Sequence, residues 1–578
     1  MVVFAQEGLR VGQITNMKYL FKTCFHIALL VITTAAWAQK NIQSTALVNA
    51  SVQQYKKAEW NITLNAAFTN SYDQQEIKLD MFLTSPSGKP LLLPCYFEEG
   101  NSAASLWKAR FTPQEAGKYN YKFILTQKSE TQESTAASFT ANATNETGFL
   151  HKNDLWTFKF DNGKLFRGIG ENIGWESRSF EKDKWTYDYL LPTLAKNGAN
   201  FFRTWMCYWN LPLEWKKVSS TKRYTNSGQY FHPQAIKRMD ELVTLTDSLN
   251  LYFMLTLDWH GHLMQNGGWK NSCYNVLNGG PAKTPTEFFT LQAAMEKYKN
   301  KLRYVVARWG YSTNIAAWEF FNEVDNAAFT AQDSILIPHA AITQWHQEMS
   351  RYLKDIDPYG HLVTTSISHR DILGMNSIPY IDFNQKHIYK HTEKIPAIYP
   401  DYIQTFGKPY VVGEFGYRWE DADPKYGEAW DFDYKRGLWY GLFSPTPILP
   451  MTWWWELFDD RNMTPYFNSV KEISDQMQAA GNESFAQIPV VTNKLHAQAV
   501  KCGNKYFVYL LNNSDEKNVE TVSFEISAGK KISVQSFTPD TRNYAKVNSF
   551  SIENKHLALN HFALEGKKDM VLIISIIK

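Results

Sequence analysis

The chain has 578 residues, more than one hydrophobic core usually serves, so two or three domains are expected. A formal net charge of +3, spread without any long Lys/Arg run, lacks the footprint of a nucleic-acid binder, and no nucleic-acid partner is expected. Aromatic residues make up 15% of the chain, with 20 Trp, an excess that suits either core packing or stacking on sugar faces.

The first apolar run follows Met17, where Lys18 and Lys22 form a basic region, Phe25 to Ala36 an apolar one, and Ala36-Trp37-Ala38 a small-x-small triplet. This pattern predicts a signal peptide over 1–38, with Met17 the better initiator, a mature chain beginning near Gln39, and a secreted or periplasmic location. The run falls short of the roughly 20 residues a spanning helix needs and no later one reaches that length, so no membrane span is expected.

From 45 to 145 short alternating runs such as Ile77 to Leu83, Trp107 to Phe111 and Tyr119 to Phe123 are broken by turn residues, which predicts a small β-sandwich. The polar string Ala141 to Thr147 reads as a linker. Between 150 and 485 apolar runs alternate with amphipathic stretches, the pattern of repeated βα units. Eight strands are expected, at Leu165–Gly168, Asn200–Thr204, Leu251–Leu257, Ile315–Phe321, Leu362–Ser366, Phe383–His387, Tyr410–Gly413 and Ile448–Trp453. The clearest helix is Pro233 to Leu249, with Ile236, Met239, Leu242, Val243 and Leu245 on one face. Gly168-Ile-Gly170-Glu-Asn lacks the third glycine of a dinucleotide turn. The fold expected is therefore an α/β (β/α)₈ TIM barrel, flanked by the first sandwich and by a second over 490–578, where alternation returns. Cys95, Cys207, Cys273 and Cys502 are widely spaced; Cys207 and Cys273 follow neighbouring strands and could form a bridge, or all four could be buried thiols.

Barrel enzymes carry their chemistry at the C-terminal ends of the strands. Strand four ends Asn322-Glu323 and strand seven ends Gly413-Glu414, so two carboxylates reach corresponding positions on the rim. A lone acid there is ordinarily a solvated residue; a pair about 5 Å apart is what a retaining glycosidase requires. The barrel resembles the clan of retaining glycosidases that includes glycoside hydrolase family 5, the cellulase and mannanase family. The resemblance covers roughly residues 150 to 480 and rests on Asn322-Glu323, Glu414, Arg203 and His387-Ile-Tyr389. It implies Glu323 as acid/base, Glu414 as nucleophile, Asn322 on the sugar 2-hydroxyl, Arg203 as the ion pair of the nucleophile and Tyr389 as its hydrogen-bond donor. The stretch Thr112 to Tyr119 resembles an Ig-like domain of unknown function that precedes such barrels in bacterial polysaccharide hydrolases.

Asp258-Trp259-His260-Gly-His262 alternates like a metal cluster, but no further Cys or His completes a shell, so no metal or other cofactor is expected. The clan commonly places a sugar-binding His here, so the resemblance implies His260, with Asp258 beside it, as sugar-binding residues and leaves His262 open. Glu171-Asn172 could also face the sugar. Trp453-Trp454-Trp455 stand where the resembling clan carries an aromatic platform under the sugar. Alternation puts Trp453 and Trp455 on one side and Trp454 on the other, one side must be core, and the resemblance is taken to place Trp453 and Trp455 toward substrate. Trp175, Trp205, Trp209, Trp259 and Trp269 either line the cleft or bury against one another. The resulting expectation is a monomeric retaining β-glycoside hydrolase, endo-acting on a β-linked glucan or mannan, with a poly- or oligosaccharide as partner. The alternatives are exo action by the same machinery and a non-catalytic carbohydrate-binding protein.

Overall fold

The computed structural model describes residues 41–177, 185–218, 223–264, 268–329, 337–481, 484–527 and 531–577. The expected signal segment, 1–38, lies outside them.

Residues 41 to 142 form two sheets, one of four strands and one of six, antiparallel except where Val52–Gln53 pairs with Ala137–Asn142. Alternation along Ala58–Leu64 puts Trp60, Ile62 and Leu64 into the cluster that also holds Met81, Leu83, Phe111, Tyr119 and Phe123. Charged side chains fasten these sheets to the helical layer behind them. Arg303 donates to Asp80 and Arg308 to Glu98, while Arg110 and Arg308 converge on Asp240.

The central region is α/β, of TIM-barrel type. Gly170–Asn172, Phe201–Trp205, Tyr252–Trp259, Ile315–Asn322 and Leu362–Thr364 lie parallel in that order, and Ser366–Ile367, Asn384–Tyr389 and Tyr410–Gly416 form a second parallel sheet. Every residue of Ile315–Asn322 is buried, as expected of a parallel strand covered on both faces. Helices separate the strands, and the predicted one spans Pro233–Leu249, starting on proline and stopping at Asn250, whose φ of 52° is left-handed.

Two strands depart from expectation. Leu165–Phe166 pairs antiparallel with Phe158–Phe160, which pairs with Leu150–Lys152, so the first parallel strand begins later, at Gly170. The Ile448–Trp453 run is joined to its neighbours only by the parallel bridges Gly168 to Ile448 and Phe415 to Thr452 and by single bonds such as Asn172 N–H to Thr452 O and Met451 N–H to Val412 O. Pro447 and Pro450 remove ladder donors from this run.

The short antiparallel sheet has a structural purpose. Leu150, Phe158, Phe160 and Phe166 share one apolar cluster with Phe201, Tyr252, Met254, Ala317, Leu362, Val411 and Ile448, filling the N-terminal end of the parallel strands. The polar groups of the site stand above that plug.

Residues 485 to 577 form sheets of six and four strands. One face of the larger sheet, with Val500, Phe507, Tyr509, Phe537, Val571 and Ile573, belongs to the same core as Trp439, Phe443 and Val470 of the helical layer. The four described cysteines are free, so Cys207 and Cys273 are not bridged. Among the described residues no helix is long and apolar enough to cross a membrane.

Candidate active site

Strands two, four, six and seven converge on one buried polar group. Arg203 is fully buried on the second strand and sends its Nε and one amino group to Glu319 at 2.6 and 2.9 Å. Its other amino group donates to Glu414 Oε1 at 2.7 Å and to Asn172 Oδ1 at 3.1 Å, and Asn322 Oδ1 takes a further bond at 2.8 Å. Burial would raise the Glu319 carboxyl, but the charge and hydrogen bonds of Arg203 outweigh it and hold the group below its ordinary value. Glu319 thus stays an anion whose work is to fix the guanidinium.

Glu414 lies near the end of the seventh strand, two residues before Gly416, with its side chain 4% exposed. Besides Arg203 it accepts a 2.6 Å hydrogen bond from the Tyr389 hydroxyl on Oε2. Burial and the neighbouring carboxylate hold the Tyr389 phenol well above its usual range, so it remains a donor. Glu323 sits one residue past the fourth strand in a left-handed conformation, φ 52°, uncommon for a residue with a side chain. Its N–H donates to Ser366 Oγ at 3.1 Å, and that hydroxyl donates to Phe321 O, so the fifth strand holds the turn. Asn326 Nδ2 donates to Glu323 Oε2 at 2.8 Å, and Arg370 donates to Asn326 Oδ1.

His387 stands between the two glutamates, its Nδ1 2.8 Å from Glu323 Oε1 and 3.4 Å from Glu414 Oε2. Burial pushes the imidazole down to about 4, which makes it neutral at pH 7. The donor atoms of Glu323, His387 and Glu414 all lie within 4.8 Å of one another, and among the described residues these three could reach a shared cation. Burial raises both carboxyls above the usual range. At Glu414 the histidine, Arg203 and the Tyr389 hydroxyl oppose that rise; Glu323 has His260, the more distant Arg203 and the Asn326 amide, and Asp325 pushes it further up. Of two coupled acids so close together, the one without a direct cationic contact keeps the proton.

The predicted set therefore assembles in part. Glu323, Glu414, Asn322, Arg203, His387 and Tyr389 meet, but Arg203 spends its donors on Glu319, Asn172, Glu414 and Asn322, and His387 lies against the glutamates through Nδ1 while its Nε2 has no hydrogen-bond partner among the described residues. His260 is at the rim, Nδ1 3.8 Å from Glu323 Oε2. Asp258 is not a sugar ligand: its carboxylate is 3% exposed and bound by Lys301 at 2.8 Å, with His262 Nε2 at 3.3 Å. Lys301, itself buried, also pairs with Glu214, and an ammonium taken out of water needs such partners. Nor do the alternate metal-like residues cluster, since His260 faces Glu323 while His262 is buried behind Asp258.

Trp455 is also corrected. The strand has ended by then, Trp455 opens the helix Trp455–Asp460, and the ring is 1% exposed with Nε1 donating to Ser177 Oγ. Trp453 keeps partial exposure and packs beside Trp175, Trp205 and Trp455. Trp209 and Trp259 extend that wall, with their centroids 4.8 Å apart, whereas Trp269 is buried with its indole donating to Lys283 O. Glu171 does not face the site: it is 1% exposed, and burial first, then Asp459 and Glu456, raise it well above its usual value. Sequence reasoning passed over Glu319, Asn326 and Ser366; alternation along the fourth strand marks Glu319, which falls two residues before Phe321 on the face carrying Ala317.

A family model described as a domain of unknown function, DUF5060, matches residues 51–126. A mannan endo-1,4-β-mannosidase A of Podospora anserina is 23% identical over 285 residues, 44% of this chain and 70% of the relative. Its namesake in Hypocrea jecorina is 25% identical over 228 residues, 35% of this chain, and the match spans 47% of that relative. A Bacteroides vulgatus protein assigned to the glycoside hydrolases superposes with a TM-score of 0.62 at 13% identity, over 92% of this chain and all of that one; this likeness is one of fold.

Proposed function

We infer that this chain, an O-glycosyl hydrolase similar to the retaining clan that includes glycoside hydrolase family 5, cleaves within a β-linked polysaccharide by double displacement. One observation carries the reading: Glu323 and Glu414 approach within 4.8 Å, and of these two glutamates only Glu414 accepts hydrogen bonds from Arg203 and Tyr389. Retaining pairs stand about 5 Å apart, and a wider gap is needed where a water must fit between sugar and base.

Glu414, held ionised by its two donors, attacks the anomeric carbon as Glu323 gives its proton to the departing oxygen. Glu323, now a carboxylate, takes a proton from the water that opens the glycosyl ester. Ser366 and Asn326 keep its side chain aimed at the bond. The names of the two fungal relatives favour a β-1,4-mannan over a glucan, and the aromatic wall from Trp453 to Trp259 suits a chain laid along a cleft. We place this chemistry in a closed (β/α)₈ barrel, supported by the bridges that join the last strand to the first and seventh, between two sandwiches, in a secreted monomer.

The test is a panel of β-glycans with azide rescue. Galactomannan or glucomannan should be cut to oligosaccharides of mixed length. Glu323→Ala with azide on an activated aryl glycoside should give the β-glycosyl azide, and Glu414→Ala with azide the α-anomer. Opposite anomers would reverse the roles, and an inverted product from the intact enzyme would reject the mechanism.

A further inference from the structure

Trp419 is the one exposed tryptophan among the described residues, 62% exposed where the others are at least partly covered. It stands five positions after Glu414, in the loop that leaves the seventh strand. A large indole in water is a cost unless something covers it. Here the surrounding chain is anchored in a way that fixes where the ring stands.

Arg418 O, the carbonyl just before the tryptophan, accepts the Trp454 indole N–H at 2.7 Å. Glu420, just after it, pairs with Lys390, and Arg418 pairs with Asp421 at 3.2 Å. Lys390 directly follows Tyr389, has a left-handed φ of 66°, and donates its N–H to Gly416 O at 3.0 Å. The loop is therefore tied to the end of the sixth strand, where the Glu414-binding tyrosine is, and to the eighth-strand tryptophan run. Lys390 Nζ lies over one face of the Trp419 ring, 5.7 Å from its centre, and pairs with Glu420, so this charged pair borders the exposed remainder of the indole. A flat apolar face rimmed by hydrogen-bonding groups matches a pyranose ring, whose C–H face stacks while its hydroxyls reach outward. The other aromatic residues of the site come from elsewhere: Trp175, Trp205, Trp209 and Trp259 from the ends and loops of strands one to three, and Trp453 from the eighth-strand run. Trp419 rises from the part of the rim built by strands six and seven.

We propose that Trp419 is an outer subsite that stacks on a pyranose unit of the bound glycan, several units removed from the cleaved bond, with Lys390 and Glu420 as its polar rim. The proposal rests on the glycanase reading above. It makes a distinction by length: a substrate too short to reach the rim never meets the indole.

Trp419→Ala should lower kcat/KM for β-1,4-mannohexaose and for glucomannan about tenfold while leaving 4-nitrophenyl β-mannoside within about twofold. Trp419→Phe should recover part of the loss. Unchanged hexaose cleavage, or an equal fall on the aryl glycoside, overturns the proposal. Affinity electrophoresis of Glu323→Gln, with and without Trp419→Ala, in gels containing glucomannan, galactomannan or hydroxyethylcellulose reads binding apart from turnover. Retardation lost with the indole supports the subsite even if the wild-type chain cleaves none of the three, an outcome that would count against the glycanase reading alone. Equal retardation of both variants, or retardation of neither, overturns the subsite.

Discussion

Replacing Tyr389 with Phe removes one hydrogen bond and almost no volume. The lost contact is the 2.6 Å bond from the phenol to Glu414 Oε2, while Arg203 still donates to Oε1 at 2.7 Å. A hydrogen bond to a charged acceptor contributes about 1.5–3 kcal/mol, and about 1.4 kcal/mol corresponds to one pKa unit, so the nucleophile should become harder to ionise by about 1–2 units. The acid limb of kcat/KM against pH reports this group in the free enzyme and should move up by that amount, with the basic limb, set by Glu323, in place. Stability gives a second readout. The folded pKa of Glu414 already lies above its unfolded value, and the substitution raises it further, so its contribution is present at low pH and is lost as pH rises through the folded pKa. The melting temperature of Tyr389→Phe should fall further below wild type at about pH 8 than at about pH 5. An unmoved acid limb, or a basic limb that moves instead, would mean that Tyr389 does not serve the nucleophile.

Gly413→Ala would put a methyl 2.4 Å from Gln385 Oε1 and 3.0 Å from His387 Nε2; since His387 bridges both glutamates, kcat should drop more than tenfold with circular dichroism unchanged, and a fully active variant would refute the positioning role. Deleting residues from 490 onward uncovers Trp439 and Phe443, whose packing includes Tyr509 at 5.6 and 5.7 Å, and should cost more than about 10 °C in Tm or abolish soluble expression. An unchanged Tm with weaker polysaccharide affinity would instead make that sandwich a binding module. Asp569 takes hydrogen bonds from Tyr466 and Tyr509 beneath this interface, and burial pushes it up to about 7. Its stabilising share is complete below about pH 4 and vanishes as pH rises through 7, so Asp569→Asn should flatten the fall of Tm between pH 4 and 7 and exceed wild type at pH 8. Parallel curves for the two proteins would refute this.

What the sequence revealed about the site follows from how each residue is placed. Asn322-Glu323 and Glu414 follow apolar runs, so position along the strand suffices to find them; Arg203 stands mid-strand after Phe201-Phe202, and Tyr389 ends its strand. Glu319, Ser366 and Asn326 act across the chain, through Arg203, the Glu323 N–H and the Glu323 carboxylate, and no local pattern encodes a partner on another strand. Asp258 looked like a sugar ligand because its burial depends on Lys301, which lies 43 positions away. The error at Trp455 has a local cause: period two holds only while a strand lasts, and Thr452 is the last residue of that run with a bridge. The first strand was set too early because Leu165–Phe166 is a true strand, but of the antiparallel plug.

That plug governs water traffic. With Phe158, Phe160 and Phe166 packed against Phe201, Tyr252 and Met254, an apolar floor lies under the N-terminal ends of the parallel strands, on the side away from Glu414. In the proposed double displacement, the water that discharges the glycosyl ester would then enter from the side where the leaving sugar departs. On that mechanism, hydrolysis and transfer to another sugar would compete for the same entrance, and the balance would turn on how long the departing chain lingers there.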